Sequence, residues 1–325
     1  MNLFERIYYY ETGYSIIANY DVSKGGLIHL DKKGSTCRFC GLGVPDVTFT
    51  SNSHAVPEFL GNHQLILNSE CDACNKFFSI HLEDHLDKYT RHHRTTGQVK
   101  GKTKIPSYKS KDGRARFDVK PGELPKILAR RDEEHYNIDF EKKIATIKFQ
   151  IEPFIPSAVY KCLVKIGLSI IDRSEMKDFS RALRWISQPS HWFAQARPPY
   201  PLLSMSTYVP GPRPFQNLKL IVYKKNDLVS CRVHYLLFLA FGNIAYQIVL
   251  PSDNDWAIPN EKLTFVPIPV PHEWEWQFGT PTLHVTDLSG VDYIRGAETS
   301  TNYSFDRVVQ KPELIGMRLK DLGYK

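Results

Sequence analysis

The sequence predicts an α+β protein in two parts: a zinc-stapled N-terminal unit, and a separate α+β domain with a helical pair and an antiparallel sheet. Three observations carry that reading. Two C-x2-C pairs, Cys37/Cys40 and Cys71/Cys74, stand about thirty residues apart near the N-terminus. The stretch AVYKCLVKIGLSII, residues 158–171, places apolar side chains at helical spacing. From Leu218 onward, short apolar runs alternate with turn signals. A chain of 325 residues allows about two domains on the usual size prior, and a hydrophobic fraction of 42% is ordinary for a protein that builds a core.

The elements follow in order. Residues 1–36 show no clear hydrophobic period, and DVSKGG and DKKGS read as turns, so a short extension with a hairpin is expected there. With the zinc segment it forms a first unit over 1–95. Residues 96–150 are basic and turn-rich and read as a linker, with a strand in the alternation of ATIKFQI (145–151). Residues 151–325 read as an α+β recognition or sensing domain. Its first helix opens at Ser157, an N-cap after Pro156. A second starts near Ser174, with Phe179, Leu183 and Ile186 on one face, and QPSHWFAQARPPYP ends it. LKLIVYKK, LVSCRVHYLLFLAF and IAYQIVLP then predict a three-strand meander with turns at Asn226-Asp227 and Gly242-Asn243. KLTFVPIPV and TLHVTDL predict two more strands. The five tryptophans are assigned to the core, with HEWEWQF (272–278) as the one alternative, an exposed aromatic platform.

The most apolar stretch, Val233 to Leu250, contains His234, Gly242, Asn243 and Gln247, so two buried strands around a tight turn explain it better than a membrane span. The N-terminus has no basic region followed by an apolar run, which is not how a signal peptide reads. A cytoplasmic protein without a membrane partner is expected. In a reducing compartment the paired cysteines read as a tetrahedral structural zinc site of Cys37, Cys40, Cys71 and Cys74 rather than as disulfides. Cys162 and Cys231 lack such spacing and read as buried thiols.

The net charge is +7, and it is unevenly spread. Between Lys88 and Arg131 stand fourteen Lys and Arg against three acids, a net +11 that leaves −4 for the rest of the chain. Such a segment is the electrostatic footprint of a phosphate-backbone binder.

The stretch with chemical content is CRFCGLGVPDVTFTSNSHAVPEFLGNHQLILNSECDACNKFFSIHLEDHLDKY. A knuckle leads to a short strand, Val47–Thr50, then to His54, a Gly61-Asn62 loop, LILN, the second knuckle, and a helix opening at Asn75 and running to about Tyr89. Zinc would pin the start of the strand region to the start of the helix and bring His54 towards Asn75. The arrangement resembles the HNH family of ββα-metal nucleases, in the zinc-knuckle form with C-x2-C, H-x2-P-E-x-L-G-N and C-x2-C-N, over residues 37–90. The resemblance implies a ββα-metal domain that hydrolyses phosphodiesters. It makes His54 the general base and Asn75 a residue that binds the catalytic ion or holds the histidine loop. Magnesium or manganese is the implied catalytic ion.

One position departs from the family pattern. Many such nucleases carry an acid immediately before the base histidine, where this chain has Ser53. A carboxylate ligand is then expected from Glu83 or Asp84, with His85 and Glu58 as further candidates. Arg91, Arg94, Lys100, Lys102, Lys104 and Arg114 are assigned to phosphate contacts. The predicted activity is that of a DNA endonuclease acting on double-stranded DNA, as in bacterial defence against foreign DNA, with an activating ligand or partner at the C-terminal domain. The alternatives are an RNA-directed nuclease and a non-catalytic zinc-ribbon protein.

Overall fold

The structure, a computed structural model, describes residues 1–305 apart from 24, 34–35, 112, 114, 119–125, 130–134, 193–196, 227–232, 256–264, 272 and 274–276. In chain order it forms α1 (Leu3–Gly13), β1 (Tyr14–Val22), β2 (Ile28–Leu30) and β3 (Leu65–Leu67). A long helix follows in three pieces: α2 (Asp72–Phe78), a π-helical turn (Ser79–Glu83) and α3 (Asp84–Thr96). Strands β4 (Tyr108–Lys109), β5 (Ala115–Asp118), β6 (Lys126–Ala129), β7 (Tyr136–Asp139) and β8 (Ile144–Gln150) precede α4 (Pro156–Ile170) and α5 (Ser180–Ile186). Then come β9 (Leu203–Tyr208), β10 (Phe215–Lys225), β11 (Tyr235–Gly242), β12 (Ile244–Val249), β13 (Thr282–Asp287) and β14 (Glu298–Ser304).

The main sheet has the order β1-β10-β11-β12-β9-β13, antiparallel throughout. The expected meander and the TLHVTDL strand are its β10 to β12 and β13. β11 is buried on both faces. Tyr235, Leu237, Leu239 and Phe241 point to the cluster around α4, while Leu236, Phe238 and Ala240 point to one built with Tyr10, Tyr14, Val266 and Ile268. Two-sided burial is why its sequence is a continuous apolar run rather than an alternating one. No helix among the described residues is long and apolar enough to cross a membrane.

Helix α4 is buried along its whole length, including Lys161 and Lys165. Pro156 at its first turn supplies a preset φ where no amide donor is needed. One side of α4 lies on the sheet. At Gly167 an added Cβ would stand 2.6 Å from Leu250 Cδ2, so a larger residue there would have to displace the Leu250 side chain. The other side packs on α3 and the π-helical turn. The zinc unit also touches the sheet directly, because Gly97 after α3 lies against Gly242, where an added Cβ would be 3.0 Å from the Gly242 Cα. One apolar cluster therefore runs from Phe39, Leu65 and Leu82 through α4 to Trp185, Leu220 and Ile248.

Several expectations are corrected. Residues 1–36 do not form a hairpin. A capping box between Asn2 and Glu5 starts α1, and β1 joins the main sheet beside β10. The buried face of β1, Tyr14, Ala18 and Val22, finds its complement there rather than in a local partner. Residues 47–50 are a loop, not a strand. The Asp72 carboxylate fixes it by accepting the Thr50 amide at 3.0 Å and the Ser51 amide at 2.9 Å, with the hydroxyls of Thr48, Thr50 and Ser51. Residues 265–270 carry no strand, and 262–264 lie outside the described residues. The basic stretch holds β4-β5-β6 and part of β14-β8-β7 around Phe117 and Phe149. Trp185 is core, but Trp192 is exposed; Trp256, Trp274, Trp276, most of HEWEWQF, Cys231 and the turn residue Asp227 lie outside the described residues.

Burial also sets a pH limit. Desolvation lowers His92 and His191 to about 4, with nearby cations adding to the effect. Their folded values lie below the ordinary 6.5, so between about pH 6.5 and 4 the unfolded chain binds protons that the fold refuses. Stability is then full above pH 6.5 and falls as pH drops through that window, by on the order of 1–2 kcal/mol for each histidine at pH 5. Urea midpoints at pH 7.5, 6 and 5 will shift downward, and His191→Gln will make the decline shallower. Parallel declines in both proteins would contradict this origin.

Candidate active site

The first knuckle lies in a turn and the second opens the long helix. Cys71 is the N-cap of α2, its Sγ accepting the Cys74 amide at 3.4 Å, and the Cys71 amide donates to Cys37 Sγ at 3.5 Å. The ligand atoms of Cys37, Cys40, Cys71 and Cys74 all lie within 4.8 Å of one another. Cys40 and Cys71 sulfurs are 3.8 Å apart, too far for a disulfide. A regular tetrahedron with Zn–S of about 2.3 Å has S···S edges of about 3.8 Å. The four thiols thus form a site of zinc-binding geometry. A hydrogen bond with Cys74 lowers the Cys37 thiol pKa, the direction that favours a thiolate ligand.

The histidine is held by backbone pairing. His54 bridges antiparallel to Ile66 of β3, flanked by Ala55 N–H to Leu65 O at 3.1 Å and Leu67 N–H to Ser53 O at 2.7 Å. The strand pair of the ββα unit is therefore a single bridge beside β3. Asn62, fully buried, ties off the connection between its arms. Its amide donates to Val56 O at 2.7 Å and Leu65 O at 3.1 Å, and its Oδ1 accepts the Gln64 and Leu65 amides. Ser53 turns inward and its hydroxyl donates to Glu70 O at 3.3 Å, so the position before the histidine does not line the cleft.

His54 Nδ1 is buried and has no hydrogen-bond partner among the described residues. Nε2 is thus the nitrogen that faces the cleft, 3.8 Å from Glu58 Oε1. Burial pulls the imidazole below 6.5; Glu58 opposes this, while His63 and Lys165 reinforce it. His54 is accordingly neutral at pH 7.

Asn75 and Glu83 reach the same cleft through the π-helical turn. Eight residues of regular α-helix would leave Glu83 about 80° around the axis from Asn75. A π turn takes about 4.4 residues and rotates Glu83 back by roughly 70°, onto one face with Asn75 and Ser79. The cleft, of about 520 Å³, is lined by His54, Glu58, Asn75, Ser79, Glu83 and Lys102 among others. The structure brings together His54, Asn75, Glu83 and Glu58 of the sequence candidates.

Others fall elsewhere. Asp84 is exposed, pairs with Lys88 and is not part of the cleft wall. His85 is buried, with Nδ1 accepting the Ile155 amide at 3.1 Å, and serves packing. Arg94 does not face phosphate: it is 3% exposed, stacks on Phe59 at 4.8 Å and pairs with Asp87. Arg91 is bound by Asp87 and Glu152. Helical i,i+4 spacing and the fold of α3 against β8's end supply these carboxylates, which the charge count along the sequence does not resolve. Lys100, Lys102 and Lys104 are exposed, with Lys102 Nζ 3.9 Å from Glu58 Oε2. Arg114 lies outside the described residues.

One residue at the site had no place in the motif. Lys165 of α4 extends Nζ to Glu70 Oε2 at 3.1 Å, Glu83 Oε1 at 3.6 Å and the His54 carbonyl at 3.3 Å. Burial would lower its pKa, but Glu70 and Glu83 outweigh burial and keep it charged. Its signal was present in the sequence as Lys161 and Lys165, two cations one turn apart in an otherwise apolar helix.

Residues 37–91 match the family model of the HNH endonuclease. No curated protein and no solved structure matched the chain. The matched segment spans all four cysteines and holds His54, Glu58, Asn75 and Glu83. It is an HNH endonuclease-family domain, set within a larger mixed α/β protein.

Proposed function

We propose that the protein is a metal-dependent endonuclease that hydrolyses the phosphodiester bonds of double-stranded DNA, with His54 as general base. The observation that carries this reading is the shared cleft of His54, Glu58, Asn75 and Glu83 at the end of a four-thiol site. Zinc is the ion we assign to the thiols, as a staple rather than a reagent.

Neutral imidazole can take a proton from a water in the cleft through Nε2. Glu58, 3.8 Å from that nitrogen, then faces the imidazolium and stabilises it. The Glu83 carboxylate and the Asn75 amide oxygen are hard donors on one face of an open, polar cleft, and this donor set fits magnesium or manganese. Such an ion, when bound, supplies charge neutralisation at the scissile phosphate and the leaving 3′ oxygen. Lys102 lines the cleft, and with the neighbouring exposed Lys100 and Lys104 it supplies counter-charges for flanking phosphates. Four free thiols suit a reducing, cytoplasmic setting. A nuclease centre built into a larger α+β body suits a sensing role such as defence against foreign DNA.

Purified protein will nick plasmid DNA with Mg²⁺ or Mn²⁺ and lose that activity in EDTA. His54→Ala will lower the rate by about 10²–10⁴-fold without unfolding the chain. Because burial lowers the His54 pKa, the rate will hold through pH 7 and decline only below 6.5, where the base becomes protonated. Equal cleavage by wild type and His54→Ala would exclude this mechanism, and cleavage of RNA alone in a parallel assay would replace DNA as the substrate.

Affinity will depend steeply on salt. Replacing Lys100, Lys102 and Lys104 with Ala will flatten the log–log slope by about 0.9 for each phosphate no longer neutralised, and weaken binding to all DNA sequences alike. An unchanged slope would move the phosphate-binding surface elsewhere.

A further inference from the structure

We infer that Lys165 is a positioning residue of the nuclease centre: it pins Glu83 and the His54 backbone from behind, so that the seating of α4 decides whether the cleft is competent. The inference rests on the nuclease reading and adds a residue from outside the matched segment 37–91.

The side chain of Lys165 is 0% exposed. It crosses from the centre of α4 into a niche walled by Phe39, whose ring centroid is 6.0 Å from Nζ, and Phe78, at 5.8 Å. An ammonium in such a place is strongly destabilising unless it is paired. The partners that satisfy it are two carboxylates and one carbonyl, and each has a defined place. Glu70, itself 0% exposed, directly precedes the zinc-site residue Cys71. Glu83 lines the catalytic cleft, and His54 carries the proposed base. One cation thus touches the zinc knuckle, the carboxylate candidate and the base residue at once.

The charges explain the arrangement. Lys165 is one cation between two carboxylates, and the exposed edge of the cluster is Glu83. Without Lys165, two carboxylates would face each other across a low-dielectric niche, and the partly exposed Glu83 is the one free to swing away. The His54 carbonyl would also lose its donor, leaving the single β-bridge to hold the histidine. A purely structural role would need none of this directionality. Lys161, one turn earlier, satisfies its ammonium with the Gln188 and Ser190 carbonyls and touches no part of the cleft.

The test uses the full-length protein with Lys165→Met and with Lys165→Met/Glu70→Gln. The double variant removes both fully buried charges and leaves only Glu83, which reaches solvent at the cleft, so it folds even where the single variant does not. Zinc content and thermal midpoint report the fold. Mn²⁺ binding by electron paramagnetic resonance and single-turnover cleavage of plasmid DNA report the site. The double variant will keep its zinc and its midpoint, while Mn²⁺ affinity and cleavage rate each fall by about 10–100-fold, the range seen when groups that orient metal ligands are removed. A folded double variant that binds Mn²⁺ and cleaves like the wild type overturns the inference and leaves the nuclease reading standing. A wild-type protein that neither binds Mn²⁺ nor cleaves overturns both.

Discussion

An ammonium group cannot be left alone inside a protein, and the burial of Lys165 within α4 is the constraint on which the rest of this structure turns. Satisfying it requires Glu70, Glu83 and the His54 carbonyl to converge on one point. That convergence requires the zinc knuckle, the π-helical turn and the histidine bridge to be in place together. The same helix is gripped a second time at its C-terminal end. Arg38, buried between the first two cysteines and the helix, donates to the Leu168 and Ile171 carbonyls and pairs with Asp31 at 2.8 Å. A guanidinium there meets the negative end of the helix dipole as well as its unpaired carbonyls.

The catalytic reading follows from how these parts divide the work. The four thiols fix where the long helix begins. The π-helical turn then rotates Glu83 into line with Asn75. The bridge to Ile66 and the Asn62 brace fix where the histidine stands. Burial keeps His54 neutral, with Glu58 Oε1 3.8 Å from its Nε2. Ser53, in place of an acid before His54, faces inward, while Glu58 and Glu83 bring carboxylates to the cleft from the loop and the helix.

Much of this was legible in the sequence because spacing along a chain encodes it. The two C-x2-C pairs predicted the thiol cluster. The runs at 218–225, 228–241 and 244–251 predicted three strands of the sheet, which form over 215–225, 235–242 and 244–249. The motif singled out His54 and Asn75, which line the same cleft. What was not legible depends on long-range placement. Glu83 and Asp84 are adjacent and chemically alike, and which of them enters the cleft is set by the rotation of the helix through the π-helical turn, not by the chemistry of either. Arg91 and Arg94 look like phosphate ligands until Asp87 and Glu152 come up beside them. β1 lies close to the zinc segment in sequence but pairs with β10, some two hundred residues away, where its buried residues Tyr14, Ala18 and Val22 are covered. Lys165 was visible as a charge in an apolar helix, but its partners lie about eighty to one hundred and ten residues away, and no local pattern names them.

The central claim is that one cleft, made by the thiol-pinned helix and the bridged histidine, holds the catalytic ion. The most direct measurement is a crystal structure of the protein with Mn²⁺, using anomalous scattering at the manganese and zinc edges. The expected result is a zinc peak centred among the sulfurs of Cys37, Cys40, Cys71 and Cys74, and a manganese peak in the cleft between His54, Asn75 and Glu83. Manganese on the outer helix face at Asp84 and Asp87, with the cleft empty, would contradict it.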